Sequence, residues 1–134
     1  MSLHKGYAAL LLLNAAAFVF FGIKWFLGPE AMALPLGIHL TNADAITDAQ
    51  AVYGGLELGL GVFLTVCALR PTLQWAGLLA ATLALLGLGT CRGLGVLLGA
   101  GHVTSATTRL LSTDLGGAVL NAAVLAFASR RQPR

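Results

Sequence analysis

Apolar residues fill this chain in four long runs, and polar residues gather between them. The first run extends from about Tyr7 to Leu27, interrupted by Asn14 and closed by Lys24 and Trp25. The second, from about Ala49 to Leu69, stops at Arg70 and Pro71, where one helix ends and a proline suits the first turn of the next. The third, from about Leu73 to Leu98, is long enough to cross a bilayer with tilt or to break near Gly93 and Gly95, and Gly99, Gly101 and His102 end it. The fourth covers about Leu110 to Ala128, and Arg130, Arg131 and Arg134 follow. Each run has roughly the 20 residues that span a membrane at about 1.5 Å per residue. The pattern predicts an all-α integral membrane four-helix bundle, up-down and antiparallel. It forms a single transmembrane domain over 1–134 with spans at about 7–27, 49–69, 73–98 and 110–128.

Residues 28–48 hold Pro29, Glu30, Pro35, His39, Asn42, Asp44 and Asp48, the longest polar stretch of the chain. It is expected to be a long polar first loop, with a short interfacial helix around Ala31 to Leu36, serving as a surface lid or as part of a site. Lys5 ahead of the first run and the Ala31, Met32, Ala33 triplet after it imitate a cleaved leader. The run exceeds the usual apolar core of about 7 to 15 residues in such leaders, so it is read as a retained span. Lys5, Arg70, Arg130, Arg131 and Arg134 fall on one side of a four-span chain. Lys24, Arg109, Glu30, Asp44 and Asp48 fall on the other. The bias of basic residues toward the cytoplasm then predicts a multi-pass protein of the bacterial inner (plasma) membrane with both termini cytoplasmic.

Composition narrows the choice further. Of 134 residues 57% are hydrophobic and 10% charged, too little polar surface for an ordinary soluble domain. The net charge of +3 sits largely in the basic tail, and no basic face with interleaved aromatics exists, so no nucleic acid is expected as a partner. The expected partners are the lipid bilayer and a homo-oligomer or larger membrane complex. Cys67 and Cys91 lie in different runs near opposite faces, too far apart for a mutual disulfide. His4, His39 and His102 have no helical partner histidine, so no metal site is expected. Phosphate-binding loops, nucleophile elbows, zinc-hydrolase helices and paired-cysteine motifs are missing from the sequence, so no cofactor and no catalytic residues are assigned.

Three charges interrupt the apolar runs: Glu57 in the second, Arg92 in the third and Asp114 in the fourth. A charge at the centre of a span costs about 2.5 to 3.5 kcal/mol on insertion scales, so such residues face the bundle interior and pair. Glu57 and Arg92 lie about 10 Å, and Asp114 about 8 Å, below the outer ends of their helices. Antiparallel neighbours bring them to one level. Arg92 is suited to bridge two carboxylates through its forked donors, and one acid of the surplus is expected to hold a proton. Tyr53, four residues before Glu57, is expected one turn above it, with its hydroxyl in reach of the network. The polar residues Asn14, Thr65, Thr82, Thr90, Ser112 and Asn121 are expected to be satisfied by helix carbonyls or interhelical bonds. Trp25 and Trp75 fall near predicted interfaces, where indoles anchor helices.

Gly54 and Gly61 flank Glu57 on one helical face, and Gly55 with Gly59, and Gly89 with Gly93, repeat the small-xxx-small spacing of closely packed spans. Close packing is the expected role of these glycines, with a ligand groove as the alternative. The three charges therefore admit two readings, a buried lock holding three helices in register or a binding site for a proton or anion.

The stretch Val52-Tyr53-Gly54-Gly55-Leu56-Glu57-Leu58-Gly59-Leu60-Gly61, the Thr90-Cys91-Arg92-Gly93-Leu94 element of the third run and the acid of the fourth resemble the bacterial domain of unknown function 4345 family. The similarity extends from Tyr7 to Arg131. Its members are small four-span membrane proteins, broadly similar to the DoxX-like group. The resemblance matches Tyr53-Gly54, Arg92 and Asp114. It departs where Cys91 precedes the arginine and where the fourth span carries Asp instead of the more usual Glu, and Glu57 is not a regular feature of the pattern. It implies fold and location and adds no reaction. The leading reading is a non-enzymatic accessory or structural subunit. The alternatives are a carrier or binding protein for a small amphiphile or ion using Glu57, Arg92, Asp114 and Tyr53, and an accessory subunit of a quinone-linked membrane oxidoreductase.

Overall fold

The computed structural model describes residues 3–99 and 103–129, so the basic tail and His102 lie outside the described residues. Helix α1 covers Leu3–Leu27 and is followed by a short α2, Pro29–Ala33, and a 3₁₀ turn, Leu34–Leu36. Helix α3, Ala43–Ala49, continues through a π-helical turn at Gln50–Gly55 into α4, Leu56–Leu69. A 3₁₀ turn at Pro71–Leu73 leads into α5, Gln74–Leu98, and α6 covers Ser105–Ser129. Among the described residues, four helical stretches are long and apolar enough to cross a membrane: His4–Leu27, Ala43–Leu69, Pro71–Leu98 and Ser105–Ala128. Among the described residues there is no strand.

Local chemistry sets the boundaries. Pro29 and Pro71 each open a helical turn, where the missing N–H costs nothing. Gly37 ends the Leu34–Leu36 turn at φ 74°, a left-handed backbone that suits glycine. Asn42 caps α3, its side-chain oxygen accepting from the Ala45 N–H at 2.8 Å. The helix of the second span therefore begins at Ala43, within the stretch expected to be loop, and Asp44, Thr47 and Asp48 form its exposed first turns. Gly93 and Gly95 do not break the third span: α5 runs through both.

Helix α1 packs on α4 and α5 packs on α6, and glycines decide how closely. A Cβ on Gly61 would meet Val19 Cγ2 at 2.6 Å and the Ala15 carbonyl at 3.1 Å. One on Gly89 would meet Leu115 Cδ2 at 2.6 Å. Leu11, Leu64, Leu78 and Cys67 fill the centre with Ala15, Ala68 and Ala81 around them, while Trp25, Ala33 and Ala49 form a second, smaller core beneath the first connection. Leu13, Leu69, Leu97, Leu98 and Val119 point outward, the arrangement expected where lipid is the solvent.

Two polar knots tie the helices together. Asn14 and Asn121 exchange amide hydrogen bonds of 3.1 and 3.2 Å between α1 and α6. Gln74, at the start of α5, donates to the carbonyls of His4 (3.2 Å) and Ala68 (3.3 Å), and its own carbonyl lies 3.2 Å from His4 Nδ1. Both knots use side chains that apolar surroundings would otherwise leave unsatisfied.

Candidate functional site

Of the three charges expected at one depth, Arg92 on α5 and Asp114 on α6 meet: Arg92 Nε donates to Asp114 Oδ2 at 3.1 Å. Asp114 is buried, and the Arg92 side chain keeps 26% of its surface exposed. The close seating of α5 on α6 at Gly89 and Leu115 brings the two backbones near enough for the short aspartate to reach. Arg92 spends one of its five donors on this bond, and its two Nη groups make no hydrogen bond among the described residues.

Glu57 does not complete a three-way bridge. It sits half-buried in the first turn of α4, within electrostatic range of the Asp114 carboxylate. Its Oε2 is buried without a hydrogen-bond partner. A carboxylate oxygen cut off from water and from donors is costly unless a proton, a cation or a ligand donor meets it.

Tyr53 stands elsewhere than the helical spacing suggests. Its ring stacks on Trp25 of α1, with centroids 4.6 Å apart and planes 25° from parallel, and no hydrogen bond joins it to Glu57, Arg92 or Asp114 among the described residues. The reason is the π-helical turn, which inserts an extra residue just before Glu57: the Leu56 N–H bonds to the Ala51 carbonyl, five residues back. An ordinary α-helical count places Tyr53 directly above Glu57; the insertion swings it to α1. Gln50 reinforces that contact by donating to the Phe26 carbonyl at 2.8 Å.

The glycines divide. Gly54 lies against the Phe26 backbone, 3.1–3.2 Å from where a Cβ would stand, and Gly61 and Gly89 are the tight contacts described above. Gly93 has looser contact, with Leu111 at 3.6 Å. On the exposed side of the span Gly59 faces open space, and a Cβ on Gly55 would meet only the Gln50 carbonyl, at 3.9 Å. Spacing alone does not say which of two adjacent glycines faces the neighbour, and the inserted residue shifts the face.

The remaining polar candidates hold no site. Thr65, Thr82 and Ser112 return their hydroxyls to carbonyls four residues back, and Asn14 and Asn121 pair as described. Cys67 is buried and Cys91 exposed, both as free thiols. Among the described residues no group of three potential metal ligands converges. The first connection carries an open groove of about 400 Å³ lined by Glu30, Ala31, Leu34, Ile38, His39, Leu40 and Thr41. None of the three charged residues of the spans lines it.

No curated protein and no solved structure matches the chain. A family profile does, over residues 7–120, a match that takes in Glu57, Arg92, Asp114 and the close-packed glycines. By that match this small membrane protein belongs to the family described as domain of unknown function 4345 (DUF4345).

Proposed function

We propose that the protein is a non-enzymatic membrane binding or carrier protein, and that Glu57, with the Arg92–Asp114 pair beside it, receives a small ligand inside the bundle. The buried, unpartnered Oε2 of Glu57 carries this reading. A pure lock would join all three charges, whereas here the pair closes without Glu57 and leaves one acceptor oxygen and the Arg92 Nη donors for something else. The complementary ligand presents a hydrogen-bond donor or positive charge to Glu57, and an apolar body suits the surrounding walls. The connection from α1 to α3 lies at the same end of the second span as Glu57. The chain is read as one transmembrane domain in a bacterial inner membrane with cytoplasmic termini, supported by Lys5 and Arg70 on one side and Glu30, Asp44 and Asp48 on the other.

Native mass spectrometry from mild detergent tests the reading. The wild-type protein is expected to retain a small molecule that Glu57→Gln loses while remaining folded. Equal spectra from the two proteins count against it. The open Gly59, with Gly55 on the same exposed side, favours a second role, packing against another membrane subunit through that face. Crosslinking at Gly59→Cys in membranes is expected to capture a neighbour in that case.

A further inference from the structure

The groove in the connection from α1 to α3 owes its walls to the local fold of that connection. The Leu34–Leu36 turn ends at Gly37, whose left-handed φ of 74° reverses the chain. The N–H groups of Gly37 and Ile38 bond back to the carbonyls of Leu34 (2.9 Å) and Ala33 (3.2 Å). Ile38 to Thr41 thereby form one wall and Glu30 to Leu34 the other. The base is anchored: Ala33 is fully buried with Trp25 and Ala49, and Leu40 packs on the same small core while lining the groove. At about 400 Å³ the space is of small-molecule size. Leu34 and Ile38 line it with 61% and 43% of their surface exposed, so apolar area is left for an occupant.

Charge selects the occupant. Glu30 lines the groove, and α3, which touches α2, adds the exposed Asp44 and Asp48. None of these three carboxylates has an ion-pair partner among the described residues. The basic residues toward the ends of α1 and α5 and at the start of α6 do not line the groove. Arg92 holds Asp114, Lys24 lies over the Phe20 ring at 5.4 Å, and Arg109 Nε donates to the Ser105 carbonyl at 3.2 Å. An anionic headgroup would meet like charge here, whereas an ammonium group finds Glu30, with the His39 ring and the Thr41 hydroxyl as further polar groups. We propose that this groove binds an organic cation with an apolar body, an alkylammonium, its charged end at Glu30 and its hydrocarbon against Leu34, Ile38 and Leu40. The groove asks for the same chemistry as the unpartnered oxygen of Glu57, but it is a separate site, and its occupancy does not depend on Glu57.

The test uses the full chain in phosphatidylcholine vesicles and two photoreactive probes with the same diazirine-bearing alkyl body, one a primary ammonium and the other an alcohol. Peptide mass spectrometry locates the adducts. The ammonium is expected to label residues 30–41 about fivefold more than the alcohol, the preference that an exposed ion pair supplies at its upper end. Unlabelled hexylammonium is expected to suppress that labelling. Glu30→Gln, at an exposed side chain, is expected to bring the ammonium down to the level of the alcohol. Asp44→Asn with Asp48→Asn is expected to lower it by less than about twofold, since neither residue lines the groove. Equal labelling by the two probes overturns the proposal, because bilayer lipid then covers the groove through its apolar walls alone. An equal fall in the Glu30 variant and the Asp44, Asp48 variant also overturns it, because surface charge then gathers the probe without a site. Labelling that hexylammonium does not suppress overturns it as well. In the Glu57→Gln protein the labelling of residues 30–41 is expected to persist, and its loss there overturns the separate site. Failure of Glu57 to hold a ligand leaves the groove labelling unchanged, so the two failures are distinguishable.

Discussion

Two of the polar contacts between helices are built to opposite rules. Between α1 and α6, Asn14 and Asn121 form a closed ring of amides. Each donates to the other, and each also donates to a carbonyl of its own helix, Leu10 at 2.8 Å and Gly117 at 2.9 Å. Between α4, α5 and α6, the charged cluster is left open: Arg92 and Asp114 pair, and one oxygen of Glu57 is buried with no partner. In surroundings where an unmet polar group is expensive, complete satisfaction marks a fastening. The unmet acceptor beside a fastened pair is the observation on which the binding proposal rests.

The largest effect should come from breaking the pair. Asp114→Ala strands the Arg92 charge within the bundle and is expected to cost about 3 kcal/mol, at the lower end for a buried pair because Arg92 is partly exposed. Thermal unfolding in detergent measures this, and Asp114→Leu combined with Arg92→Leu should recover most of the loss. Gly61→Ala comes next, at about 2 kcal/mol, because its Cβ would stand 2.6 Å from Val19 Cγ2. Gly59→Ala, with nothing within 4 Å of its Cβ, is expected to be neutral or slightly stabilising in the same assay. Asn14→Leu should cost about 1 kcal/mol, the scale of an interhelical hydrogen bond in a membrane. A paired Asn121→Leu should restore part of it, since both unmet groups are then gone. Glu57→Gln is expected to change stability by less than about 0.5 kcal/mol, because its buried oxygen has no bond to lose. If that variant instead unfolds as readily as Asp114→Ala, Glu57 is a fastening after all and the contrast collapses.

The four spans and the shared depth of Glu57, Arg92 and Asp114 were legible in the sequence, because length, apolarity and depth along a helix are one-dimensional quantities; which carboxylate Arg92 takes was not. Nor was the register around Glu57. A count of four from Tyr53 to Glu57 assumes 3.6 residues per turn, and nothing in Gln50-Ala51-Val52-Tyr53-Gly54-Gly55 announces an inserted residue. The inserted residue is visible only when Trp25 and Phe26 are seen holding the other side, and they lie on a different helix. The start of the second span was missed for a different reason. Asp44, Thr47 and Asp48 look like loop by polarity, yet Asn42 just before them is the type of residue that caps a helix, and that cue was available. The mutual choice of Asn14 and Asn121 depends on two residues 107 positions apart, which no local pattern encodes.

That separation has a consequence in time. A chain made from its N-terminus delivers Asn14 to the membrane long before Asn121 exists. During that interval the Asn14 amide is held by the Leu10 carbonyl of its own turn, so the first span can sit in lipid half-satisfied and wait. Only the arrival of the fourth span supplies the second partner and closes the ring. Without the fourth span, the Asn14 side chain would keep only its bond to Leu10.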